Sequence, residues 1–245
     1  MIPDDKVTEI YFIIDEFFKE FDKTIKEYSL PSEQTKKRNR KFTMSESEVM
    51  TILILFHSAS FKNLKSFYVF YVQKHMQKDF PQTVSYNRFV ELQRKVCVPL
   101  AVFVKMMCLG KCTGISFIDS TPIRSCHIKR EKQHKTFKNI AQKGQCSLGW
   151  FYGFKLHLII NDKGEILDFI LTPGNVDDRE PLKNMDLHKR IFGKLFGDKG
   201  YISKNLFEQL FVDGVHLITK LRKNMKNALL LLHDRIMLRK RALIE

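Results

Sequence analysis

The sequence predicts an α/β (α+β) protein in two parts: an all-α stretch over residues 1–110, then a mixed sheet with helices over residues 111–245. Three observations predict it. Apolar residues recur at 3–4 spacing through most of the first part, as one buried helical face requires. Beyond Gly110–Gly114 the apolar period shortens to two, the signature of strands. After the third strand-like run, helices and strands alternate, which favours a mixed sheet with helices on its faces.

The elements follow in order. Residues 4–28 place Val7, Ile10, Tyr11, Ile14, Phe17, Phe18 and Phe21 on one helical face, and Pro31 ends the pattern. Residues 35–41, TKKRNRK, hold five basic side chains and no acid, and read as an exposed connector. Ser45 and Glu48 form a capping-box pattern ahead of Val49, so a helix starts there. Further helices are expected over 62–78 and 86–108, parted by the turn signal PQTVSYN.

Ile115–Asp119 is a short strand-like run ending in a carboxylate. Residues 124–138 carry six Lys or Arg, two His and one Glu, and predict a basic loop. Residues 150–160 alternate, with Trp150, Tyr152, Phe154, Leu156, Leu158 and Ile160 on one face. The other face carries Phe151, Gly153, Lys155, His157 and Ile159. Asp162–Glu165 is a tight turn into a strand over 166–171. Asp177 with Glu180, before Pro181, has the pattern of a helix N-cap. A strand at 194–196, a helix at 203–212, a strand at 215–221 and a helix from 227 complete the chain. The order β-β-β-α-β-α-β-α is that of the ribonuclease H-like fold.

Composition narrows the function classes. With 44% hydrophobic residues over 245 positions, a sizeable core forms and global disorder is excluded. The formal net charge of +15 favours a polyanionic partner, because each neutralised phosphate releases counterions. Cys97, Cys108, Cys112, Cys126 and Cys146 are odd in number and irregularly spaced, against a disulfide framework. Cys126, His127, His134 and Cys146 lack the CxxC pairing of a structural zinc site. The N-terminus has no secretory pattern, and the longest apolar run falls far short of the ~20 residues that span a bilayer. A cytoplasmic protein is expected.

Asp119 and Asp198 are the candidate metal ligands. Phosphodiester chemistry needs two divalent ions about 3.5–4 Å apart, which activate the attacking oxygen and stabilise the leaving one. Mg2+ prefers oxygen ligands and keeps several waters, so a few carboxylates suffice. An acid after an apolar run such as SFI is costly to bury unless paired or metal-bound. Asp198 follows a strand in LFGDKGY, where Gly197 and Gly200 are expected to let the backbone turn sharply. Either acid alone also fits a turn; on neighbouring strands, the two together point to a metal site.

Four segments occur in order: FIDSTPI (117–123), GWFYGFKLHLI (149–159), TPGNVDDREPL (172–182) and GDKGYIS (197–203). With them, residues 119–245 resemble the DDE transposases of bacterial insertion sequences, most closely the insertion-sequence 982 family. The helical half is similar too, so the resemblance covers essentially the whole chain. It implies that Asp119 and Asp198 are the first two metal-binding acids and that Glu245, in KRALIE, is the third. Arg241, one turn before Glu245 and on the same helical face, resembles a basic residue of related transposases.

The implied activity is metal-dependent cleavage at the ends of an insertion sequence and transfer of the freed strand, with two Mg2+ (or Mn2+) ions per site. The implied partners are double-stranded DNA, both element ends and target, and a second copy of the chain, a homodimer or larger. The implied location is the bacterial cytoplasm, on the nucleoid. Candidate DNA contacts are Lys155, His157, Lys199, Arg241, Lys36, Lys37 and Arg38. For Lys155 and His157, phosphate contact and plain solvent-facing polarity weigh equally. Asp177 and Asp178 are set aside as a metal pair, because capping accounts for Asp177.

Asp234, the other acid of the last helix, lies 11 residues before Glu245, roughly 16 Å along the axis. Only one of them can meet Asp119 and Asp198, and family position favours Glu245. Related transposases carry a further basic residue beyond this Glu, whereas Glu245 is the last residue here. A chain cut short in its last helix is therefore expected. An impaired DNA-binding remnant and a stand-alone nuclease stand as alternatives.

Overall fold

The computed structural model describes residues 2–28, 43–220 and 231–241, and the chain divides into two compact units, Met1–Met107 and Cys108–Glu245. The first unit is helical: α1 (Asp4–Tyr28), α2 (Glu46–Ser58), α3 (Leu64–Ser66), a π-helical stretch Phe67–Val72, α4 (Gln73–His75) and α5 (Tyr86–Met107). Ile14, Phe17 and Phe18 of α1 bury against Met50, Ile52 and Leu55 of α2 and against Phe67 and Phe89. The capping box forms as read: Glu48 N donates to Ser45 Oγ at 3.1 Å, and Ser45 N donates to Glu48 Oε2 at 2.6 Å.

The second unit contains β1 (Ile115–Cys126), β2 (Gln142–Cys146), β3 (Gly149–Asn161), β4 (Ile166–Pro173), α6 (Glu180–Asn184), β5 (Gly193–Gly197), α7 (Lys204–Val212), β6 (Val215–Thr219) and α8 (Leu232–Lys240). The strands lie in the order β4-β3-β1-β5-β6, with β2 joined to the first residues of β3. β3 runs antiparallel to both β4 and β1, whereas β1, β5 and β6 run parallel. This is the mixed sheet of the ribonuclease H-like fold.

Both faces of the sheet are covered. On one, Ile118, Ile159, Leu195 and Leu217 pack with Leu182 of α6 and with Leu206 and Leu210 of α7. On the other, Phe117, Ile160, Phe196 and Ile218 pack with Leu238 of α8. Alternation along β1 and β5 thus sends Phe117 and Phe196 to the α8 face, and Ile118 and Leu195 to the α7 face.

Three expectations change here. β1 does not end at Asp119 but runs on to Cys126, because β3 is long enough to pair with it from Ser116 through Cys126. The basic loop begins as the end of β1 and holds a 3-10 turn, Ile128–Gln133. β2 has no counterpart in the sequence reading, since QKGQC lacks any apolar alternation. A glycine is required at its partner position: a Cβ on Gly153 would stand 2.0 Å from the Ile123 carbonyl oxygen. No helix of the described residues is long and apolar enough to cross a membrane.

Candidate active site

Two strand positions set the site. The parallel ladder of β1 and β5 ends with Phe117 opposite Phe196. Asp119 and Asp198 each stand two residues further on, so alternation returns both to the α8 face. Neighbouring strands lie ~4.8 Å apart, so the two carboxylates start from adjacent tracks. Beneath them the Phe117 and Phe196 rings pack with centroids 5.6 Å apart.

Beyond this point β1 continues while β5 turns away, and the opened edge forms a cleft of about 440 Å³. Asp119, Ser120, Lys155, Asp178, Asp198 and Arg241 line it, with residues 145–148 of the β2–β3 turn along one side. Residues of both β1 faces reach it because no strand covers that edge.

The turn after β5 holds Asp198 in place. Its side chain caps the 3-10 turn Lys199–Tyr201, accepting from Gly200 N at 2.7 Å. The glycines act through room rather than through a sharp turn, as neither Gly197 nor Gly200 has positive φ. A Cβ at 197 would lie 3.1 Å from the Tyr201 ring, and one at 200 would lie 2.9 Å from Asp198 Oδ1. Tyr201 is buried below the acids. Burial raises its hydroxyl pKa well above the ordinary phenol value, and the charges of Asp178, Asp119 and Asp198 raise it further. Three carboxylates thus share one neighbourhood.

Asp178 is the acid that the sequence reading passed over. It accepts from Lys155 Nζ at 2.8 Å, and the same ammonium donates to the Val176 carbonyl at 2.8 Å. Lys155 thus lies inside the cleft, largely buried, and compensates one of its acids. Asp177 is not an N-cap; α6 starts after Arg179 without a side-chain cap. Asp177 instead accepts from Arg179 Nε and Nη2, both at 2.7 Å. That guanidinium holds the Asp177 carboxyl down at about 2.

His157 is a correction to both of its sequence readings. It is completely buried, with Nε2 2.9 Å from Thr172 Oγ1, and reaches neither DNA nor solvent. Its strand face looked polar, but α6 and α7 cover that face. Burial lowers its pKa to about 4.

Helix α8 brings Arg241 to the cleft. Near its start, Asp234 is buried and accepts from Lys194 Nζ at 2.6 Å, at the beginning of β5. Lys194 to Asp198 is four residues of strand, roughly 13 Å. Asp234 to Arg241 is seven residues of helix, roughly 10 Å. The helix therefore runs alongside β5 and ends beside the acids, with Asp234 committed to the far end. Lys199 is exposed next to Asp198. Lys36, Lys37, Arg38 and Glu245 lie outside the described residues. Among the described residues no three His, Cys, Asp or Glu side chains group as a metal site. All five cysteines are free.

A family model described as a transposase DDE domain matches residues 109–245, more than half of the chain. No curated protein matches it. Among solved structures, the piggyBac transposase synaptic complex with hairpin DNA is similar at 14% identity and a TM-score of 0.42, covering 89% of this chain and 49% of that one. The Mos1 strand transfer complex is similar at 10% identity and a TM-score of 0.27, covering 89% and 77%. The chain thus spans about half the length of the piggyBac transposase chain it matches. With two acids on adjacent parallel strands and a sheet of ribonuclease H-like order, the chain belongs to the transposase DDE domain family.

Proposed function

We propose that this chain is a transposase of the insertion-sequence 982 type, which cuts DNA at the ends of its element and joins the freed strand to target DNA. The observation that carries the proposal is the placement of Asp119 and Asp198, two residues past the same ladder end and on one face. The end of α8 with Arg241 lines the same cleft. Glu245 is four residues beyond Arg241 in sequence, and by the family resemblance we assign it as the third acid. It completes the acid set.

The donors suit a hard cation. Asp119 and Asp198 offer only carboxylate oxygens, which favours Mg2+ or Mn2+ over zinc. Such ions, when bound, supply activation of the attacking oxygen and charge stabilisation at the leaving one. The chain's own part is to hold the scissile phosphate. Arg241 pairs with a phosphate oxygen, and Lys155 compensates the charge of Asp178. In the first step water attacks phosphorus and the bond to the 3′-oxygen breaks, leaving a 3′-hydroxyl. In the second, that hydroxyl attacks a target phosphate and the target strand's own 3′-oxygen leaves.

The helical unit over residues 1–110 is assigned to end recognition or to pairing of two copies, since two ends must be joined. The test is incubation of the full chain with end-containing duplex DNA and Mg2+. The wild type yields nicked and joined products, whereas Asp119→Ala, Asp198→Ala and Glu245→Ala yield neither. Full activity in the two Asp variants sinks the assignment. Cleavage without joining reassigns the chain as a nuclease.

A further inference from the structure

Away from the carboxylate cleft, the basic segment after β1 encloses a second cavity, about 550 Å³, lined by Ser125, Cys126, His127, Arg130, Gln133, His134 and Lys135. Its walls hold a guanidinium, an ammonium and two imidazoles, and no carboxylate. Two polar atoms of this wall, Ser125 Oγ and His134 Nε2, are buried with no hydrogen-bond partner among the described residues. Buried polar groups are almost always paired, so two orphans in one cavity call for a partner from outside the chain. Arg130 of the 3-10 turn and Lys135 just after it are exposed at the rim, where they attract an anion from solution. This lining suits a tetrahedral oxyanion, whose oxygens can accept from Arg130 and Lys135, with the Ser125 hydroxyl and the His134 ring as further donors.

We propose that this cavity is a phosphate-binding site that grips the backbone of the DNA being processed, away from the cut. The inference rests on the DNA-cutting role proposed above for its position relative to the cut, but not for its affinity for phosphate. Its spacing follows from β1. Asp119 and Ser125 are six residues apart on one extended strand, roughly 20 Å. For a duplex laid along β1, which advances 3.4 Å per phosphate of one strand, the cavity meets a phosphate about six base pairs from the scissile one. The site fixes how far the duplex slides through the cleft, and so gives register without reading bases.

The experiment measures binding of full-length chain to end-containing duplex by fluorescence anisotropy across a salt series. Arg130→Ala with Lys135→Ala should weaken binding and reduce the slope of log K against log salt by about 1. Lys132→Ala, exposed on the same turn but outside the cavity, is the control and should change the slope less. A duplex trimmed to fewer than about five base pairs on the side that reaches the cavity should abolish the difference between wild type and the double variant. An unchanged slope in the double variant, or an equal effect of Lys132→Ala, overturns the site. Both arms are read on Asp119→Ala protein as well. If wild type binds with these slopes but never cuts, the function proposal fails and the phosphate site stands. If wild type cuts and the slopes do not respond, the reverse holds. Ser125→Ala tests the orphan hydroxyl and should weaken binding with an unchanged slope, since it carries no charge.

Discussion

Asp119 and Asp198 stand at the same offset from the end of a parallel ladder, each two residues past the Phe117–Phe196 pair. Side chains two apart on a strand share a face, so both carboxylates rise on the side covered by α8. Like charges on adjacent tracks repel, and a cation between them relieves that repulsion.

Mg2+ is therefore expected to raise the thermal midpoint of the wild-type protein, and EDTA to reverse it. A ligand at 100 times its Kd stabilises by about 2.7 kcal/mol when it binds only the folded state. Asp119→Asn and Asp198→Asn should each abolish the Mg2+ response while leaving the midpoint without metal equal to wild type or higher. A midpoint that rises with Mg2+ in both variants places the cation elsewhere.

The Lys194–Asp234 pair, 2.6 Å apart, ties the start of α8 to the start of β5 and so sets where Arg241 ends up. Removing the Asp234 carboxylate leaves Lys194, one-third exposed, free to find water. Asp234→Ala should thus cost about 2 kcal/mol, the scale of a charged hydrogen bond, in urea unfolding. DNA cleavage should fall more than stability explains, because the helix loses its anchor. Asp234→Leu with Lys194→Met should recover stability. A double variant as unstable as Asp234→Ala means that the charge interaction itself carries stability that apolar packing does not replace.

In the helical unit, Ser45 and Glu48 satisfy each other's backbone donors at the start of α2. Ser45→Ala should cost about 1 kcal/mol, and Ser45→Asp should keep most of it. Chemical denaturation followed by far-ultraviolet circular dichroism reads this directly. Equal stability of Ser45→Ala and wild type removes the box from the list of stabilising features.

That capping box was legible because its signal is local: two residues three apart. The order of the elements along the second unit, β2 apart, was legible for the same reason, since alternation and turn residues mark the others. The placement of Asp119 and Asp198 next to neighbouring strands was legible because each follows an apolar run. What escaped was non-local. Asp177 and Asp178 are adjacent acids, and only the Arg179 guanidinium on one and the Lys155 ammonium on the other separate their roles. β2 forms because β3 offers an open edge, although its own residues show no strand pattern. The extension of β1 past Asp119 likewise depends on the length of its partner.

His157 was misread because a Lys-His face looks solvated until a helix is laid on it, and its burial predicts a pH dependence. Burial, the largest cause, lowers its pKa from 6.5 to about 4, with the Lys155 charge adding to the shift and Asp178 opposing it. Between these values the unfolded chain holds a proton there that the folded protein rejects. Stability from this group is therefore complete above pH 6.5 and is lost as pH falls toward 4. The full shift corresponds to about 3 kcal/mol. Urea unfolding at pH 7 and pH 4.5 should differ by a large part of that. His157→Gln, which still reaches Thr172, should flatten the difference while leaving stability at pH 7 lower by a smaller amount. An unchanged pH slope in His157→Gln assigns the acid sensitivity to other groups.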